Sequence, residues 1–181
     1  MRKTVNIPGF FLWLAMWLIG SSFTPGVSSP CNSPDCLFKI SRSRDANEIW
    51  YALNFKSDGS LNNDSPVRAF WVKKTDGNRT EPLTWVQNRY AYDVELLGNT
   101  ENKPNSIQFR FVSYTKHSFE FRQSGENRYK VFTKSNNKEI EVTRIFVQIE
   151  GGSFWVPSIP YVMLTGVDIH TGRKITETII P

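Results

Sequence analysis

The feature that most constrains this chain is a two-residue rhythm of apolar side chains. Ile49, Tyr51, Leu53 and Phe55 occupy alternate positions. So do Ile107, Phe109 and Phe111, then Phe119 and Phe121, then Tyr129, Val131 and Thr133. Successive side chains of an extended chain point to opposite faces, so each run places its apolar residues on one face of a β-strand. An amphipathic helix needs spacings of three and four. Thirteen phenylalanines and an aromatic share of 14% reinforce the strand reading, because aromatic rings pack well on a pleated surface.

Turn chemistry separates these runs. Ser57-Asp58-Gly59-Ser60 begins a turn that Asn62 to Pro66 prolongs, and Val67 to Lys73 is the return strand, with Phe70 and Trp71 on opposite faces. Asp76-Gly77, Ser124 to Asn127, Ser135 to Lys138 and Thr171-Gly172 mark further hairpins. The last of them joins strands over Tyr161 to Ile169 and Lys174 to Ile180. In the strand from Ile140, the inward parity set by Ile140 and Val142 flips before Ile145, Val147 and Ile149. One extra residue restores the facing, so a β-bulge is expected near Thr143–Arg144. Gly151-Gly152 ends that strand.

One stretch resists assignment. Val86, Tyr90, Val94 and Leu97 have helical spacing, whereas Trp85, Tyr90 and Tyr92 also suit a strand, so Leu83 to Leu97 reads as a short helix or an irregular segment. Asn99 to Asn105 is a polar loop. The sum is an all-β domain: an antiparallel meander of about eight or nine strands with at most one short helix. A two-sheet sandwich is preferred, and a closed barrel is the alternative.

The front of the chain reads differently. Arg2 and Lys3 precede an apolar run from Phe10 to Ile19, followed by Gly20, Ser21 and Ser22. A basic start, a short apolar stretch and small residues describe a signal peptide over residues 1–22. The run is too short to cross a bilayer, which takes about 20 apolar residues. Residues 23–36 form a mobile leader, and 37–181 form a single β domain of ordinary size. The protein is therefore expected to be exported, to the periplasm or beyond, with no transmembrane span in the mature chain. Without Arg2 and Lys3, the formal charge of +5 falls to +3. The remaining basic residues alternate with acids and aromatics rather than clustering, which argues against nucleic acid as a partner. Cys31 and Cys36 are a candidate disulfide in an exported chain, the other reading being two unpaired thiols. No second Cys/His pair completes a metal shell, so no metal is expected.

Chemistry is sparse. His117 and His170 sit in no motif that activates a nucleophile. Asp168 and His170 share a strand side but lack a third ligand. Asp93 with Glu95, and Glu139 with Glu141, have the spacing of paired carboxylates and equally that of solvated strand faces. No phosphate loop, H-E-x-x-H or G-x-S-x-G is present, and no cofactor is expected. What remains is the segment Ile149 to Pro157, whose double glycine permits unusual backbone and whose Phe154 and Trp155 either cap the sheets or form a stacking platform.

Four stretches carry a resemblance: Asn63 to Val67 leading to Phe70 and Trp71; Thr84 to Tyr92; Arg144 to Pro157, with its Glu150-Gly151-Gly152-Ser153-Phe154-Trp155-Val156-Pro157 run; and Gly166 to Pro181. Together they resemble a bacterial family known as domain of unknown function 4833, over about Leu37 to Pro181. That family occurs mostly in Bacteroidota and has no assigned activity. The resemblance implies a single exported domain and carries over no catalytic residue. Cys31 and Cys36 lie outside it.

The resulting expectation is a non-enzymatic exported domain that binds a small molecule, a glycan or an envelope protein. Its candidate binding residues are Trp71, Trp85, Arg89, Tyr92, Glu150, Phe154 and Trp155. Two alternatives stand beside it. One is a carboxylate-based hydrolase acting on envelope glycans through Glu150 and Asp168. The other is a structural scaffold for another envelope protein.

Overall fold

The computed structural model describes residues 35–99, 106–125, 128–153 and 156–181. The expected signal peptide, nearly all of the expected leader and the polar loop after Asn99 lie outside the described residues. The chain is all-β, as its alternation implies. The first wing comprises β1 (Cys36–Arg42), β2 (Asp45–Leu53), β3 (Val67–Lys73) and β4 (Arg79–Pro82). A helical turn α1 (Trp85–Gln87) runs into a π-helical turn (Asn88–Tyr92). The second wing comprises β5 (Val94–Asn99), β6 (Ser106–Phe111), β7 (Tyr114–Gln123) and β8 (Tyr129–Ser135). Then follow the long β9 (Lys138–Val147), the two-residue β10 (Gly151–Gly152) and β11 (Pro157–Ser158), and the closing hairpin β12 (Val162–Asp168) with β13 (Lys174–Ile179).

All strands but β10 and β11 belong to one curled sheet, in the order β4-β3-β2-β1-β9-β8-β7-β6-β5, with β12 and β13 added on the far side of β9. The sheet forks at β9. The first half of its edge, Lys138 to Glu141, pairs with β8. The second half, Arg144 to Val147, pairs with β1. Its opposite edge pairs with β12 from Ile140 to Val147. The bulge lies at the fork. Thr165 faces Arg144 and Gly166 faces Val142, which leaves Thr143 as the unmatched residue where the parity argument places it.

Two features go beyond the antiparallel meander read from the sequence. The β1–β9 pair is parallel, and it joins segments about a hundred residues apart. The layers are wings of one continuous half-barrel rather than separate sheets. They still meet as a sandwich would. Phe38 of β1 and Tyr51 of β2 touch Phe111 of β6, with ring centroids 6.1 and 5.7 Å apart, although β6 is several strands away in the sheet. Alternation on both wings thus feeds one core, centred on Tyr51, Phe109, Phe121, Ile49, Ile140 and Leu164.

The ambiguous stretch resolves by capping. Thr84 Oγ1 accepts the Gln87 backbone N–H, and Gln87 Oε1 accepts the Thr84 N–H, which together start the helical turn. The same Gln87 oxygen also accepts the Trp71 indole N–H at 3.2 Å. The turn is thereby fixed to β3, and the helical segment spans the open side between the wings. Downstream, Val94 and Leu96 alternate inward as β5, so helical spacing misleads beyond Tyr92. At Ser135–Lys138 the two central residues, Asn136 and Asn137, have φ of 47° and 62°. Both values are positive, as a tight type I′ hairpin requires.

Candidate functional site

The helical segment builds two aromatic–cation clusters, one on each side. The inner one seals the half-barrel. Tyr92 lies edge-on to Trp71 at 6.2 Å, and the Arg42 guanidinium sits 4.9 Å from the Trp71 ring and 5.9 Å from the Tyr92 ring. Arg42 donates to the Tyr92 hydroxyl at 2.8 Å and to the Asp45 carboxylate. The buried Tyr51 hydroxyl donates to the Tyr92 carbonyl at 2.7 Å. Burial pushes the Tyr92 phenol up, with Arg42 opposing the shift. This cluster is a structural plug.

The outer cluster faces solvent. Trp85 is 68% exposed and Tyr90 57% exposed. Their rings meet at 87° with centroids 6.0 Å apart, forming a corner. The Arg89 guanidinium lies 5.6 Å from the Trp85 ring and 5.8 Å from the Tyr90 ring. Large aromatics this exposed are unusual, and π-helical turns occur frequently at functional sites. Trp85 precedes Arg89 and Tyr90 by four and five residues, and the helical turn running into the π turn brings the three to one surface.

The structure thus joins four of the expected binding residues, Trp71, Trp85, Arg89 and Tyr92, through one segment. It divides them by role: Trp71 and Tyr92 hold the fold, while Trp85 and Arg89 face out. Phe154 and Trp155 lie outside the described residues. Glu150 is exposed, on a hairpin held to the β1–β2 turn by Arg44 donating to the Glu150 carbonyl and Ser43 donating to the Ile149 carbonyl. Arg42 and Tyr90 were not foreseen as members of these clusters. Arg42 has no local signal, because β1 meets the helical segment only in the folded state. The sequence marks Tyr90 only as a member of the ambiguous spacing with Val86, Val94 and Leu97, with nothing to set it apart as a surface residue.

The carboxylates are otherwise engaged. Asp168 accepts the backbone N–H groups of His170 and Thr171, which cap the β12–β13 turn and hold its carboxyl below the usual range. It faces Ile140, whereas Gln148 faces Tyr161 at the other end of the same strand pair. Gln148 is eight residues from Ile140, roughly 25 Å of strand at about 3.3 Å per residue, and Glu150 lies beyond it, far from Asp168. A glycosidase pair needs about 5 to 9.5 Å. Glu139 pairs with Arg122, Glu141 with Lys130 and Glu95 with Arg110. An open cavity of about 370 Å³ between the β7–β8 pair and the β12–β13 turn is lined by Arg122, Lys130, Glu141 and Asp168, all committed in this way. Among the described residues no group of His, Cys, Asp and Glu is arranged to hold a metal. Cys36 is disulfide-bonded, and Cys31, the chain's other cysteine, lies outside the described residues.

His117 is half-buried at the rim of the core. Its Nε2 lies 2.9 Å from Thr133 Oγ1, which itself donates to the Ser118 carbonyl, and its ring packs edge-on to Phe119. Burial lowers its pKa below the ordinary 6.5, with the Glu177 charge opposing. A depressed histidine contributes stability that is fully present above 6.5 and is lost as pH falls through the folded value. Thermal midpoints should therefore begin to drop just below pH 6.5, and His117→Gln should flatten that part of the profile. An unchanged profile in the variant would reject this assignment.

The fold and its outer surface define an all-β protein: a curled mixed sheet, plugged by a helical segment that displays an aromatic corner. The chain belongs to the family described as domain of unknown function (DUF4833), whose match spans residues 38–178. No curated protein and no solved structure matches it.

Proposed function

We propose that this chain is an exported, non-enzymatic binding domain of the cell envelope, and that Trp85, Arg89 and Tyr90 form its ligand-facing surface. The observation that carries the reading is the exposure of Trp85 and Tyr90 on a segment anchored from beneath by Gln87 and Tyr92. A rigid platform of this kind holds a flat ligand at little ordering cost. Export rests on the signal-like front of the sequence. Among the described residues no helix is long and apolar enough to cross a membrane.

Docking by strand addition finds less support. The edge strand β4 has four residues and ends in Pro82. The edge strand β5 slips register between Leu96 and Gly98. The edge strand β13 points Glu177 inward beside Leu164, and a charge facing inward deters edge pairing. An aromatic surface is the better candidate for contact.

The test is a tryptophan fluorescence titration of the mature chain with envelope glycans and lipids. A saturable shift is expected, and Trp85→Ala should weaken it at least about tenfold without changing the thermal midpoint, since a central aromatic anchor typically contributes that much. No response to any of these probes, or a response indifferent to Trp85, would refute the reading.

A further inference from the structure

The molecule stacks cations on aromatic rings repeatedly, and the heads of those cations reveal what one of them lacks. A guanidinium uses its face for stacking and its edge N–H groups for a planar oxyanion, so the two contacts are compatible. Arg42 shows the completed arrangement: its face lies near Trp71 and Tyr92, and its edge holds the Asp45 carboxylate. Lys39 and Lys74 flank Trp50 and both reach Glu48. Lys73 beside Trp71 pairs with Glu81, and Arg122 over Phe132 pairs with Glu139. Arg68 and Arg144, beside Phe70 and Phe146, donate to the Leu53 carbonyl and the Ser41 hydroxyl.

Arg89 departs from this pattern. Its guanidinium lies within 6 Å of both the Trp85 and Tyr90 rings, the same Trp–Arg–Tyr geometry as Arg42, yet among the described residues its head has neither a hydrogen bond nor an ion pair. Extending the proposed binding role, we propose that the corner formed by Trp85, Arg89 and Tyr90 binds a carboxylate-bearing saccharide, the carboxylate taking at Arg89 the place that Asp45 takes at Arg42. A pyranose ring is flat enough to stack on one wall of the corner while its carboxylate meets the guanidinium edge. An acidic peptide fits less well, because an extended chain gains affinity by pairing with a free strand edge, and the edges nearest the corner are the short, proline-ended β4 and the register-slipped β5.

The experiment titrates the full mature chain with three probes: trigalacturonate, the same trisaccharide with its carboxyl groups reduced, and a tetraglutamate peptide. Calorimetry and tryptophan fluorescence report binding. Trigalacturonate should bind at least about tenfold more tightly than the reduced sugar, and Arg89→Gln should erase that preference, as expected for loss of a charge-assisted contact. Arg89→Lys, which keeps charge but not the planar fork, should restore only part of it. Equal affinity for the acidic and reduced sugars, or a preference that survives Arg89→Gln, overturns the carboxylate assignment and leaves the aromatic platform standing. Tighter binding of tetraglutamate overturns the saccharide assignment. Silence with all three probes also overturns it, while the platform itself is judged separately by Trp85→Ala with the wider set of glycans and lipids.

Discussion

Phe111→Ala should destabilise the domain by about 4 kcal/mol, the upper range for a buried phenylalanine whose site cannot collapse. Phe111 is 5% exposed and makes ring contacts with Phe38, Phe109, Phe119 and Tyr51, between 5.2 and 6.1 Å. Two of those partners are on its own wing of the sheet and two on the opposite wing. The missing ring therefore leaves a void between wings that the sheet joins through β9 and the helical segment spans. Neither wing can move in to fill it without disturbing the fork. For a domain of this size each kcal/mol moves the thermal midpoint by about 2 to 4 °C, so a fall of roughly 10 °C is expected. Urea unfolding should show a lower midpoint at an unchanged slope. Phe111→Leu, which retains most of the volume, should cost less than half as much. An alanine variant as stable as the parent would show that the wings do not share a core.

Gly166→Ala should cost about 3 kcal/mol for an unrelated reason, overpacking against main chain. A Cβ at this position would lie 2.5 Å from the Glu141 carbonyl oxygen and 3.0 Å from Ile140 Cδ1. Gly166 is not held in a left-handed conformation, so the requirement is space rather than backbone freedom. It faces Val142 directly beside the bulge at Thr143, where the two strands crowd. The carbonyl belongs to the ladder and cannot withdraw without breaking the pairing of β9 with β12. Gly151→Ala is the matched control: nothing lies within 4 Å of its added methyl and its φ is ordinary. That change should be near neutral. If both substitutions cost the same, crowding at the fork is not what Gly166 relieves.

Phe111 and Gly166 mark where reading the sequence succeeds and where it stops. The parity of Phe109, Phe111, Phe119 and Phe121 correctly assigns them to a buried face, because side-chain period depends only on the local backbone. The slip between Val142 and Ile145 locates the bulge for the same reason. It does not reveal that Gly166 must be small, since that follows from which strand lies opposite. In the candidate site, Trp71, Trp85, Arg89 and Tyr92 stand out as aromatic and basic residues in a stretch of mixed periodicity. Their division into a plug and a displayed corner depends on Gln87, which ties the segment to Trp71, and on Arg42 and Tyr51, which reach it from β1 and β2.

The amino-acid order alone settles the all-β class, the span from Val67 to Lys73, the tight turns and the inward faces of most strands, because each follows from sterics and alternation within a few residues. Tertiary structure alone decides that β1 runs parallel to β9, that one curled sheet supplies both layers, and that Arg42 reaches the Tyr92 hydroxyl fifty residues away. Alternation tells a strand which face to bury but is indifferent to its neighbours. The choice of neighbour is made by packing between segments far apart in the chain, where the ring of Phe111 finds Phe38 and Tyr51 across the core.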